Sequence, residues 1–269
     1  MSARQCTLRT NASLAGCGLH TGEECRLTLH PAEENTGIVF VTKRGEVPAH
    51  IRYVQDTNRG TTLRRGDVEV HTVEHLLAAM AGMGIDNARA EVEGPELPIG
   101  DGSSLSFVEL IERAGVEKQD AKARTFCVEN TVWVSDGAKY LLASPLDGMK
   151  ITELIGFTHQ MIGEQAISLL ISPDTFKREI APARTFCTSG EIEMILSQGL
   201  GRGGKEDNVV IVHEDHYSVP LRFNDEFVRH KALDLIGDLF LIGGRLQADI
   251  TGIKTSHALN TALVKKIVG

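Results

Sequence analysis

"DEFVRHKALDLIGDLFLIGG", Asp225 to Gly244, is followed directly by "RLQADITG", Arg245 to Gly252, and shortly afterwards by "SHALNTALVKKI", Ser256 to Ile267. The first and third segments have helical apolar spacing, and the second alternates apolar and polar residues as a half-buried strand does. The first half of the chain repeats this order. A helix is predicted from about Thr72 to Met83, then a strand in "NARAEVEG" (87–94), then a helix through "LSFVELIERAG" (105–115) after "GDGS". Strand-like runs come before each set: "ECRLTLH", "GIVFVT" and "DVEVHT" in the first half, and "RTFCVENTVWVS", "KYLLAS", "KITELIGF" and "AISLLIS" in the second. The expected fold class is therefore α+β, with two similar domains, residues 1–123 and 124–269, packed face to face. "ARTFC" also occurs twice, at 123–127 and 183–187, but at non-equivalent places in the two halves, so it does not mark the repeat.

Composition narrows the function. A chain of 269 residues with 42% hydrophobic content has ample core for a globular protein. A formal net charge of -8 argues against nucleic-acid partners and requires any anionic substrate to be held by locally placed lysines or arginines. The five cysteines are odd in number and contain no C-x-x-C, which points away from a disulfide framework or a cysteine zinc site. The N-terminal "MSARQCTLRT" lacks the apolar core of a secretion signal, and no run is long enough to span a bilayer. The expectation is a cytoplasmic protein with at most peripheral membrane contact, working as a monomer.

Within "FVRHKALDLIGDLF", His230, Asp234 and Asp238 recur every fourth residue and share one stripe of an otherwise apolar helix. Such a stripe can be the wet edge of a helix or, if buried, a set of groups that need partners. His75 lies on the corresponding helix of the first half, and face-to-face packing would bring it to the stripe. His75, His230 and Asp234 would then form two histidines and a carboxylate with one position open for water, as a catalytic zinc requires. The same donor set suits a non-haem iron oxygenase, and a metal-storage protein needs no more than it. "HTVEH", His71 to His75, also matches the H-x-x-E-H of inverted zinc peptidases. Thr72 is read as the N-cap of the helix, which leaves His71 outside it and breaks the peptidase geometry. Glu74 is placed to take a proton from water, and His257, at the start of the last helix, to give one to a leaving group.

"GCGLHTG" (16–22), "TVEHLLAAMAGMGIDNARAEVEGPELPIGDGSS" (72–104), "ARTFC" (183–187), "LSQGLGRGGKEDNVVIV" (196–212), "FVRHKALDLIGDL" (227–239) and "KTSHALN" (254–260) together resemble the UDP-3-O-acyl-N-acetylglucosamine deacetylases, zinc amidases of lipid A synthesis. The resemblance runs in order along nearly the whole chain. It implies two β-α-α-β domains with the active site between them, one zinc per chain (Fe2+ being the alternative ion), and metal ligands His75, His230 and Asp234. It further implies Glu74 as general base and His257 as general acid tuned by Asp238. Thr185 would polarise the acetyl carbonyl, and His20, Leu63, Phe186 and Lys231 would contact substrate. His71 and Cys187 depart from the family, which commonly has a small polar residue and a glycine at those places.

Two further motifs are set aside. "GLGRGGKE", Gly199 to Glu206, has Glu206 where a phosphate loop needs Ser or Thr, and it follows a helix where such a loop must follow a strand. It is read as a flexible loop, which the resemblance makes part of an acyl-chain passage over about 190–211: Ile192, Met194, Ile195 and Leu196 give a helix with an apolar face, Gly201, Gly203 and Gly204 remove side-chain bulk, and "NVVIV" supplies a strand opposite. "HEDH", His213 to His216, is read as a solvated turn.

Overall fold

The computed structural model describes residues 3–269. In the first half, strands β1 (Ala12–Cys17), β2 (Glu24–Pro31), β3 (Ile38–Thr42), β4 (Gly45–Pro48) and β5 (Ala88–Glu93) form a sheet in the order β1-β2-β5-β3-β4. The central β5 is antiparallel to β2 and parallel to β3, and both outer pairs are antiparallel. In the second half, β6 (Val132–Asp136), β7 (Lys139–Ser144), β8 (Met149–Gly156), β9 (Glu164–Leu170) and β10 (Arg245–Ile253) take the order β6-β7-β10-β8-β9 with the same directions throughout. The two sheets therefore correspond strand for strand, each strand to the one numbered five higher.

A parallel neighbour needs a crossover, and in each half the crossover carries a helix. Helix α1 (Glu74–Met83) comes before β5 and α2 (Leu105–Ala114) after it; α3 (Glu226–Leu239) comes before β10 and α4 (His257–Val268) after it. Along each strand the apolar positions of the alternating pattern face the helices: Leu27 and Leu29 in β2, Leu141 and Ala143 in β7. Helices α1 and α3 are buried on nearly every side, as expected of helices without a wide polar face. They touch backbone to backbone. A Cβ at Gly237 would stand 2.1 Å from the carbonyl oxygen of Glu74, so only glycine permits this approach. One continuous apolar core joins both halves.

The halves differ in what is inserted before the central helix. The first inserts a three-stranded sheet, Val54–Asp56, Thr62–Arg65 and Val68–Val70. The second inserts the short helix Ile192–Ser197 and a parallel pair, Phe186–Thr188 with Val210–Val212. "RTFCVENTVWVS" proves to be two strands. Thr125–Cys127 joins β10, the chain bends at Asn130, and β6 follows. The helix expected through Gly244 leaves α geometry after Leu239 and ends in one tighter turn, Phe240–Ile242. Among the described residues no helix is long and apolar enough to cross a membrane.

Candidate active site

The three-residue stripe on α3 is buried: His230 is 3% exposed, Asp234 4% and Asp238 0%. It faces the start of α1, where the Glu74 and Gly237 backbones meet. His75 Nε2 lies 3.7 Å, and His230 Nε2 3.3 Å, from the same oxygen, Asp234 Oδ1. The two imidazole rings are edge to face with centroids 5.0 Å apart. His230 Nδ1 bonds to the Ala183 carbonyl at 3.0 Å, which makes Nδ1 the protonated nitrogen and leaves Nε2 as a lone-pair donor. Burial, and then the neighbouring His230, lower the His75 pKa to about 3, and burial also lowers that of His230. Burial alone would raise the Asp234 pKa, but Lys231, whose Nζ donates to Oδ2 at 2.9 Å, and the surrounding histidines hold it well below the usual carboxylate range.

These residues fit a divalent cation. His75, His230 and Asp234 offer ligand atoms that all lie within 4.8 Å of one another. Asp234 Oδ1 is buried without a hydrogen-bond partner, a costly state for a charged oxygen unless a cation completes it. Two neutral imidazoles and a carboxylate are the donor set of hydrolytic metal sites.

Beside this group, His257 Nδ1 bonds to Asp238 Oδ2 at 2.7 Å. Asp238 is in turn held by the Thr61 hydroxyl (2.6 Å to Oδ1) and the Asn260 amide (2.9 Å to Oδ2). Burial opposes a charge on His257, yet Asp238, followed by Asp234 and Glu74, pushes its pKa up to about 9. Glu74 is 2% exposed, accepts the Thr61 backbone N–H at 2.9 Å, and is raised to about 7 by burial, with His257 pulling the other way. A carboxylate that exchanges protons near neutrality thus stands beside an imidazolium that keeps its proton to higher pH.

Glu74, His75, His230, Lys231, Asp234 and His257 open on one cleft of about 530 Å³ lying between the two insertions, while Asp238, Thr61 and Asn260 stand buried behind it. Thr185, Phe186, Lys231 and His20 line it, as do Ile192, Gly201 and Gly204. The apolar Ile195, Leu196 and Ile211 of the segment read as an acyl passage also line it, together with Leu19, which the sequence did not single out. His20 ties the insertions together. Its Nε2 bonds to the Arg59 carbonyl at 3.1 Å, and its Nδ1 accepts the Gly201 N–H at 3.3 Å. Cys187 also borders the cleft, and burial raises its thiol pKa.

Four expectations are corrected. Leu63 is fully buried in the core and does not reach the cleft. Thr72 does not cap α1. It has φ +57°, its hydroxyl donates to Glu96 Oε1 at 2.7 Å, and Val73 takes the N-cap position with no side-chain bond. His71 still lies outside the helix and away from the metal-competent group, with its ring against Thr62 and Glu69. Gly203 does not open the passage: it lies against the Gly18 backbone, where a Cβ would meet the carbonyl oxygen at 2.1 Å. Met194 is 46% exposed and does not line the cleft.

Thr61, Asn260 and Glu96 hydrogen-bond to residues around the candidate site and were missed by sequence reasoning. Asn260 had a faint signal, one helical turn after His257. Glu96 is fully buried and accepts from the backbone N–H groups of His20 (3.0 Å) and Thr21 (2.9 Å) and from the hydroxyls of Thr21 (2.9 Å) and Thr72 (2.7 Å). It clamps the turn that carries His20 to the residues leading into α1.

The model of the family described as LpxC, UDP-3-O-acyl N-acetylglycosamine deacetylase, matches residues 5–269. A UDP-3-O-acyl-N-acetylglucosamine deacetylase of Anaeromyxobacter sp. (strain Fw109-5) is 44% identical over 268 residues, covering 98% of this chain and 88% of that protein. One of Myxococcus xanthus (strain DK1622), under the same name, is 45% identical over 273 residues, covering 99% and 87%.

Proposed function

The chain belongs to the UDP-3-O-acyl N-acetylglycosamine deacetylase family, and from that premise we propose that its cleft removes the N-acetyl group of UDP-3-O-acyl-N-acetylglucosamine, the committed step of lipid A synthesis, releasing acetate and the free amine. The observation that carries the site assignment is the orphaned Asp234 Oδ1 between two imidazole Nε2 atoms, with Glu74 and the Asp238-bound His257 on the same cleft. His75, His230 and Asp234 hold the metal, which we take to be zinc. When bound, it acidifies water and polarises a carbonyl.

The side chains supply the rest. Glu74 takes the proton from the attacking water as the C–O bond forms. The Thr185 hydroxyl donates to the oxygen that gains charge on the acetyl carbon. His257 then gives its Nε2 proton to the departing nitrogen, because an amine leaves only once protonated, and Asp238 at Nδ1 keeps the ring oriented and charged until that moment. Lys231 and His20 hold the sugar nucleotide. Phe186 and the apolar wall of Ile192, Ile195, Leu196 and Ile211 take the acyl chain, with Gly201 and Gly204 leaving room in the loop. We treat residues 1–123 as the unit supplying Glu74 and His75, and 124–269 as the unit supplying the other catalytic groups and the passage.

The test is acetate release from the acylated sugar nucleotide, with metal content measured on the same sample. Stoichiometric metal and turnover are expected. A metal-loaded protein that releases no acetate would refute the assignment.

A further inference from the structure

The two sheets correspond strand for strand, but the faces they turn away from the helices do not. In the first sheet the outer positions include Arg26, His30, Glu46, Arg89, Glu91 and Glu93, an ordinary solvated surface. In the second, the register places Tyr140, Ile253, Leu154 and Ala166 side by side in one row across β7, β10, β8 and β9. The adjacent row is Trp133, Leu142, Thr251, Thr152 and Ser168, and the next is Ser144, Asp249, Lys150 and Leu170. Exposures run from 36% at Leu154 and 37% at Ile253 through 47% at Tyr140 and 56% at Trp133 to 60% at Leu170. In these three rows the only charges are Lys150 and Asp249, which neutralise each other at 3.0 Å. Large side chains grouped in this way on the water-facing side of a sheet mark a surface that is covered in use.

What covers it follows from charge and position. The chain carries -8 overall, so most of its surface is repelled by an anionic boundary, whereas these rows are neutral. Exposed lysines stand at their border. Lys254 directly follows Ile253, and Lys266 Nζ lies 5.3 Å over the Trp133 ring. An exposed Trp and Tyr beside lysines suit the boundary between lipid headgroups and acyl chains. The rows also lead into the cleft. Just past the end of β8 the chain reaches Phe157, which is 41% exposed, packs edge-on against Phe186 at 5.8 Å and lines the cleft, while two residues past the end of β10 it reaches the cleft residue Thr255.

We infer that the outer face of the second sheet adsorbs to the surface of a phospholipid bilayer and sets the cleft mouth beside it. The part of this inference that concerns the cleft rests on the acyl-chain reading above. A substrate with one hydrocarbon arm would then pass from the lipid boundary into the apolar wall without a full exit into water.

The test is flotation of the full chain with vesicles of phosphatidylethanolamine and phosphatidylglycerol. The wild type should float. The double variant Tyr140→Ser, Leu154→Ser should float about tenfold less, since two apolar contacts are lost, with Trp133→Ser as an independent second variant. Turnover of a water-soluble short-acyl analogue and the thermal midpoint should be unchanged in both, because none of these side chains lines the cleft. A wild type that stays in solution, or variants that float equally well, would overturn the inference. So would a concentration-dependent dimer that these substitutions dissolve, which would assign the face to a second copy of the chain. If the wild type floats but releases no acetate, the deacetylase reading fails and the surface stands.

Discussion

Helices α1 and α3 occupy equivalent places in two sheets of the same topology, yet they deliver functional groups in different ways. Helix α3 presents His230, Asp234 and Asp238 from successive turns, where helical periodicity alone aligns them. Helix α1 presents Glu74 and His75 from its first turn, directly after a left-handed Thr72, so their positions depend on what holds that turn. Thr61 donates to Glu74, and Glu96 anchors Thr72, Thr21 and the His20 backbone. One half relies on a regular element and the other on a network of clamps. The second arrangement is more sensitive to changes outside the site.

The largest effects should fall on the ligands of both halves alike. His75→Ala, His230→Ala and Asp234→Ala should each strip the metal and lower turnover by roughly three orders of magnitude or more, read by metal analysis and acetate release. Retention of metal by any one of them would remove that residue from the set and break the symmetry of the two contributions.

Glu74→Gln should separate chemistry from binding. Metal stays, because the three ligands are intact, while kcat falls by about 10²–10⁴. Glu74 must be deprotonated to act and is raised to about 7, and His257 must be protonated and is raised to about 9, so the rate should climb as pH approaches 7 and decline above 9. His257→Gln should remove the alkaline decline along with most of the rate. A decline that persists would put the proton donor elsewhere.

Glu96→Gln tests the clamps directly. An amide keeps one acceptor but meets the Thr21 N–H or hydroxyl with a donor, at a cost of about 1–3 kcal/mol in unfolding free energy. Because the turn it holds carries His20, KM should rise more than kcat falls. The opposite split would mean that the clamp serves α1 rather than the His20 turn.

The smallest effect is expected at His71→Ala, which removes only partly exposed contacts to Thr62 and Glu69. Metal content and rate should match wild type within about twofold. Metal loss would revive the H-x-x-E-H reading of the first half.

Much of this was legible in the residues. The stripe at 230, 234 and 238 could be read because a helix puts every fourth residue on one face whatever surrounds it. The paired helix-strand-helix segments could be read because alternation and helical spacing differ locally, and His257 at a helix start followed from the change of spacing after the strand; Ser256, whose side chain accepts the Leu259 N–H, caps that helix. The errors arose where a local rule met a distant partner. Thr72 has the chemistry of an N-cap, but the buried Glu96 carboxylate takes its hydroxyl, and its backbone is left-handed, outside the extended geometry of a cap. Gly203 resembles a loop-opening glycine like its neighbours, but the Gly18 backbone fills the space beside it.

The sequence by itself therefore determined the element types, the repeated order and the residue kinds of the site, since these follow from periodicities of 3.6 and 2 and from side-chain chemistry carried within each segment. Tertiary structure alone decided that Gly237 lets α3 lie against the Glu74 backbone, that Thr61 reaches both Glu74 and Asp238, and that one sheet face is charged while its counterpart aligns Tyr140, Ile253 and Leu154 across three strands. Each of these joins residues far apart in the chain. Such contacts are set by how the whole core closes, which no local window of residues contains.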